Sequence, residues 1–297
     1  MLPNYCRSFR EEAFNVWRDM SETEGLQLPR SEETTTEQLL LSLARKHTGR
    51  GLEVKAFSKH VEGKEGADWA FWFADGTRQG IGARIQAKRL YADEGRYKSL
   101  YHQSNKQKEA SKASGLPTPN QCETLINHPD SLVPLYVFYN SDALDFEKLR
   151  STHQQLQWWF WRNFPSHFTE WGISAASPLA IKHADWGKKD QPGDFPMIPW
   201  HCLFCSCCWD KRPADSSLAA QVGYGLRQLY ELGVSQGKSE ESKHDDMHFS
   251  FEPTEETPKW VGLLREGSQA EEWLVEEMGQ LNLKGVAIIE ETEARDE

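Results

Sequence analysis

At 297 residues the chain is long enough to bury a full core, and 38% hydrophobic against 27% charged side chains, with twelve tryptophans, excludes a disordered or fibrous polymer. No run of about 18 apolar residues occurs, and the start, Met1-Leu-Pro-Asn-Tyr-Cys-Arg7, lacks the order of a signal peptide, so a cytoplasmic protein with no membrane association is expected. The formal charge of −11 argues against a polyanionic partner, but residues 238 to 297 hold 17 acidic and 6 basic side chains and carry the whole excess, leaving the rest balanced at 28 each.

Thr34 and Glu37 have capping-box spacing and precede Leu39, Leu40 and Leu43, with Gly49 as a stop, which predicts a helix over 35–47 with Glu32 and Glu33 at its entrance. Residues 54–58 read as a first strand and the bulky run 68–73 as a second, closed by an Asp75-Gly76 hairpin turn. In the third strand Ile81, Ala83, Ile85 and Ala87 point one way and Arg84, Gln86 and Lys88 the other. A surface helix over 96–113, a short helix over 121–127 and a buried strand over 132–139 follow.

Further on, residues 146–164 predict a helix ending in Trp158-Trp-Phe-Trp161, and the stretch to about 216 resists assignment. Helices are expected over 217–232 and 268–280, a polar linker over 235–258 and a short strand over 285–289. The expected division is an α/β core over 1–140, a helical and irregular elaboration packed on it over 141–234, and an acidic linker with a C-terminal helix and strand over 235–297.

The chemistry concentrates on the hairpin. A carboxylate on one strand (Asp68), an oxygen ligand on the next (Gln86) and a lysine two residues on (Lys88) suit a divalent metal that supplies a nucleophilic water and neutralises a phosphate. Lys88 is placed to orient that water or steady the oxyanion, and Glu33, or secondarily Glu37, is a further carboxylate for the same metal.

Glu62-Gly-Lys-Glu-Gly-Ala-Asp68 followed by Ile85-Gln86-Ala87-Lys88-Arg89 resembles the G-x-D and Q-A-K-R elements of the Mrr-type branch of the PD-(D/E)xK nucleases. The resemblance spans about residues 31–140, where the order helix, three strands, helix, strand is similar to the restriction-endonuclease-like core: a central mixed sheet flanked by helices. It implies catalytic roles for Asp68, Gln86, Lys88 and Glu33, with Mg²⁺ or Mn²⁺ held by Asp68, Gln86 and Glu33. Glutamine in place of the second acid brings no negative charge to the metal. A closer likeness is to an uncharacterised family, a domain of unknown function that shares the Glu-Glu-Thr, Gly-Ala-Asp-Trp, Gln-Ala-Lys-Arg-Leu and Pro-Leu-Tyr-x-Phe-Tyr-Asn order.

Residues 84–112 hold eight Lys or Arg, and Arg84, Arg89, Arg96 and Lys98 are the expected nucleic-acid contacts, set against the ordinary reading of a solvated face. Cys202, Cys205, Cys207 and Cys208 leave two readings open, a structural Zn²⁺ site and, more common for cysteine, buried unreactive thiols; no spread-out disulfide framework is expected. His244 and His248 read as solvated loop, and the tryptophans at 158–161 as core rather than a base-stacking platform. No Walker A loop, dinucleotide fingerprint or G-x-S-x-G elbow occurs.

The expected function is a metal-dependent endonuclease acting on DNA, by analogy in restriction or antiphage defence, with nucleic acid and a second copy of the chain as candidate partners. The alternative is a degenerate nuclease fold that binds nucleic acid or another ligand without turnover. A third reading gives the acidic tail the task of shielding the basic strip.

Overall fold

A computed structural model describes residues 5–28, 30–47, 52–58, 68–75, 79–101, 119–154, 167–184, 190–205, 208–209, 217–235 and 248–292. Their framework is one mixed eight-stranded sheet. In chain order the elements are α1 (Tyr5–Gly25), α2 (Glu32–His47), β1 (Leu52–Ser58), β2 (Trp69–Ala74), β3 (Gly80–Tyr91), β4 (Arg96–Tyr97), α3 (Gln121–Ile126), β5 (Val133–Tyr139), α4 (Phe146–Gln154), β6 (Ile173–Ala176), α5 (Pro178–His183), β7 (Ile198–Pro199), α6 (Leu218–Ser235), α7 (Lys259–Glu266), α8 (Glu271–Gln280) and β8 (Gly285–Glu291). The 3₁₀ turns Phe168–Gly172 and Trp200–Leu203 flank β6 and β7.

Strands run in the order β1-β8-β2-β3-β5-β6-β7, with β4 attached to β3. β2 and β3 form the expected antiparallel hairpin, and β3 and β5 are parallel, with Gln86 opposite Tyr136 and Lys88 opposite Phe138. Both faces are covered, which explains why β2 and β5 are buried along their whole length instead of alternating with solvent. Trp69, Phe71, Phe73, Ile81, Ala83, Ile85 and Ala87 pack on one side with Phe9 and Met20 of α1, Leu39 and Leu43 of α2 and Leu226 of α6. Trp72, Tyr136, Phe138, Val286 and Ile288 pack on the other with Leu125 of α3, Ile181 of α5, Trp260 of α7 and Met278 of α8.

α2 starts at Glu32, three residues before the expected start, because Ser31 rather than Thr34 is the cap: its Oγ accepts the Thr34 N–H at 3.1 Å. The helix expected over 96–113 does not begin there; Arg96 and Tyr97 pair with Tyr91 and Leu90 as β4 after a turn in which Gly95 has φ 62°. Residues 102–118 lie outside the described residues, as do Gly76 of the hairpin turn, Trp158 to Trp161, and His244. Asn120 caps α3 with a capping box to Glu123, which orients Gln121 at its first turn.

The largest departure is β8. Expected at the end of an acidic appendage, it enters the middle of the sheet, antiparallel to β1 and parallel to β2. Its Gly-Val-Ala-Ile-Ile run is apolar on both faces, a pattern that only an internal strand can bury. Gly285 permits the crossing, since a Cβ there would lie 2.7 Å from the Trp69 indole. β8 therefore completes the core sheet from within the segment expected as an acidic linker with a helix and strand, and β6 and β7 extend it from the segment expected as an elaboration. Among the described residues no helix is long and apolar enough to cross a membrane.

Candidate active site

Asp68 stands where three strands meet. Its N–H donates to Ile85 O of β3 at 2.9 Å, and its carbonyl accepts from Lys284 N at 3.1 Å and Gly285 N at 2.9 Å at the start of β8. The backbone thus locks the carboxylate in place. Oδ2 accepts from Ala87 N at 2.9 Å and from Gln86 Nε2, while Oδ1 lies 2.9 Å from the Lys284 ammonium.

Lys284 also donates to Glu33 Oε1 at 2.8 Å, so a strand carboxylate and a helix-entrance carboxylate converge on one cation position. On the other side of Gln86, Gln121 donates Nε2 to Gln86 Oε1 at 2.8 Å and accepts from Lys88 Nζ at 2.8 Å. The result is one continuous chain of polar side chains: Glu33, Lys284, Asp68, Gln86, Gln121, Lys88. Asp68, Gln86 and Lys88 are each less than a tenth exposed. Glu37 stands apart from this chain, accepting from Ser58 Oγ at 2.8 Å.

Burial pushes the Asp68 carboxyl above its ordinary value, against the opposing pull of Lys284, Lys88 and the Ala87 N–H. Burial likewise drives Lys88 below the usual lysine range, although Asp68 and Glu32 favour its charge. Lys284 is partly buried, but the two carboxylates around it outweigh that and hold it above the ordinary lysine value.

As to fit for a divalent cation, two carboxylate oxygens directed at one point are the donor type that hard cations take. The Gln86 amide oxygen is turned away from that point toward Gln121, and its Nε2 faces Asp68 Oδ2, so as placed the side chain offers no donor there.

The four cations expected to meet nucleic acid divide. Arg84 is a correction: it is 1% exposed, with Nε donating to Asp130 at 2.8 Å and Nη1 to Leu281 O at 3.1 Å, because β3 is covered on both faces. Arg89 pairs with Glu24 at 3.2 Å and lies over the Tyr91 ring. Arg96 and Lys98 reach the surface, sharing Glu94, with Asp190 a second partner of Arg96. The cysteine run also divides: Cys205 forms a disulfide with Cys6, a long-range pairing that was not expected, while Cys202 and Cys208 are buried thiols and Cys207 lies outside the described residues.

Sequence reasoning missed Lys284 and Gln121. The Asn120-x-x-Glu123 capping box marks Gln121 as the first residue of a helix, but nothing local links Lys284 to a carboxylate 251 positions earlier.

Fold and site together define a mixed α/β protein with a buried carboxylate, amide and lysine cluster at the junction of β2, β3 and β8. The chain belongs to a family of unknown function, DUF6615, whose model matches residues 5–295. Neither a curated protein nor a solved structure matches it significantly.

Proposed function

We propose that the chain is a divalent-metal-dependent phosphodiester hydrolase acting on nucleic acid, with DNA as its first candidate substrate. The observation that carries this reading is the convergence of Asp68 Oδ1 and Glu33 Oε1 on one cation position beside the strand that bears Gln86 and Lys88. Asp68 and Glu33 would hold Mg²⁺ or Mn²⁺, with the Gln86 amide oxygen, once turned from Gln121, as a neutral third donor. Such an ion, when bound, screens the phosphate and makes a hydroxide available near neutral pH. Lys88, held by Gln121, is the group that orients the attacking water or steadies charge on the phosphate oxygens. The order α2, β1, β2, β3, α3, β5 supports a restriction-endonuclease-like core, into which β8 is inserted between β1 and β2. A role in restriction or antiphage defence is analogy from that resemblance.

The test is incubation of the purified protein with plasmid, single-stranded DNA and RNA in Mg²⁺ or Mn²⁺. Cleavage abolished by Asp68→Ala and by Lys88→Ala is the expected result; cleavage undiminished in both sinks the residue assignments. A second reading, a degenerate fold that binds without turnover, is favoured by the Lys284 ammonium already satisfying both carboxylates and by the depth of Lys88. Binding of DNA with no cleavage under any metal selects it.

A further inference from the structure

Away from the Asp68 cluster, the loop after β7 gathers a second set of metal-binding side chains. His201, Cys202 and Cys208 are buried, and one ligand atom from each lies within 4.8 Å of the others. The loop folds back on itself to bring them together: Phe204 N donates to His201 O at 2.9 Å, Cys208 N to Cys205 O at 3.3 Å, and Trp209 Nε1 to Cys202 O at 2.8 Å. His201 Nε2 lies 3.8 Å from Cys202 Sγ. Two ligands on a tetrahedral zinc, at roughly 2.1 Å for nitrogen and 2.3 Å for sulfur, stand roughly 3.6 Å apart.

A carboxylate lies beside the histidine. Glu170 Oε2 is 3.9 Å from His201 Nε2, too far for a hydrogen bond, and is shielded from solvent without a hydrogen-bond partner. Arg10 Nε stands 3.7 Å from its other oxygen.

We propose that His201, Cys202 and Cys208 bind one structural Zn²⁺, with Glu170, drawn in from beside His201, as the fourth ligand. Binding releases one proton from each thiol, and the two thiolates neutralise the ion, which is how a buried site carries a dication at low cost in desolvation. The negative charge added by Glu170 is offset by Arg10. The ion would fasten the Trp200–Leu203 turn to Cys208 and, through Glu170, to the Phe168–Gly172 turn that packs on α1. Cys205 is excluded from the set because it is paired with Cys6. The site is independent of the Asp68 cluster.

The test is the metal content of the chain purified without reductant or chelator, by inductively coupled plasma mass spectrometry. One zinc per chain is expected, lost in Cys202→Ser/Cys208→Ser and retained in Asp68→Ala. Because the double variant risks misfolding, wild-type protein stripped of metal is also titrated with Co²⁺. Thiolate-to-cobalt charge-transfer absorption and tetrahedral d–d bands at one equivalent are expected, with the d–d bands altered in Glu170→Gln. Absence of zinc together with absence of these bands overturns the proposal. So does zinc that persists in the double variant, or that binds only after the Cys6–Cys205 disulfide is reduced.

Discussion

Lys284 places its ammonium 2.9 Å from Asp68 Oδ1 at the seam where β8 enters the sheet, and the same ammonium holds Glu33. A cation supplied by the C-terminal strand thus occupies the position that the proposed metal needs. Substituting Lys284→Met removes that competitor. Mn²⁺ affinity, measured by titration calorimetry, should rise at least about tenfold, equivalent to about 1.4 kcal/mol. The metal-free fold should lose about 1–3 kcal/mol, because Asp68 is left buried with one fewer partner while Lys284, about a third exposed, is only partly desolvated. Unchanged or weaker Mn²⁺ binding counts against the shared position.

Gln86→Glu replaces the donor that Asp68 Oδ2 accepts with a second acid. Two adjacent carboxylates repel without a metal, so the metal-free variant should unfold about 1–3 kcal/mol more easily in urea. Mg²⁺ should restore more stability to it than to the wild type, in proportion to the logarithm of concentration above the dissociation constant. Equal Mg²⁺ responses in the two proteins would argue for a site that holds no metal.

Arg84 serves the fold. Arg84→Met should cost about 3 kcal/mol by leaving Asp130 with only His128 beside it, while DNA affinity of the folded variant stays at the wild-type level. Arg96→Ala and Lys98→Ala, at exposed positions, should lower DNA affinity and reduce its salt dependence with little change in stability. Filter binding across a salt series, paired with urea melts, separates the two classes.

Stability should fall as pH rises above 9. Burial pushes the Cys122 thiol up to about 12 from 9.0, and raises the Tyr97, Tyr136 and Tyr230 phenols well above 10. Between pH 9 and 12 the unfolded chain loses the Cys122 proton while the folded chain keeps it, so the unfolded state gains. Lys284 acts in the same direction: its contribution is complete below 10.5 and is lost as pH climbs through its raised value. Cys122 alone should lower stability by about 2 kcal/mol at pH 10.5, read from urea melts of the wild type against Cys122→Ala. No difference in pH slope between the two rejects the thiol as a contributor.

Much of the hairpin was legible in the chain because its signals are local. Alternation of Ile81, Ala83, Ile85 and Ala87 against Arg84, Gln86 and Lys88 defined β3, and a bulky run defined β2. Alternation assigns residues to faces but does not say what covers a face. Arg84 was therefore expected among the nucleic-acid contacts and lies instead buried, held by Asp130 and the Leu281 carbonyl. The expected helix does not start at Arg96 for a related reason, since β4 is stabilised by pairing with β3 and not by local propensity.

By itself, then, the amino-acid order determined several local pieces, α2, the β2–β3 hairpin and β5 among them, and that Asp68, Gln86 and Lys88 can share a site across one hairpin. Only the tertiary structure decided that β8 splits β1 from β2, bringing Lys284 to Asp68 and Glu33, that α3 delivers Gln121 between Gln86 and Lys88, and that Cys6 reaches Cys205. The reason is physical. Pairings within a hairpin follow from backbone periodicity over a few residues, whereas contacts between distant segments depend on which apolar faces must be buried against each other, and that is settled by the packing of the whole chain.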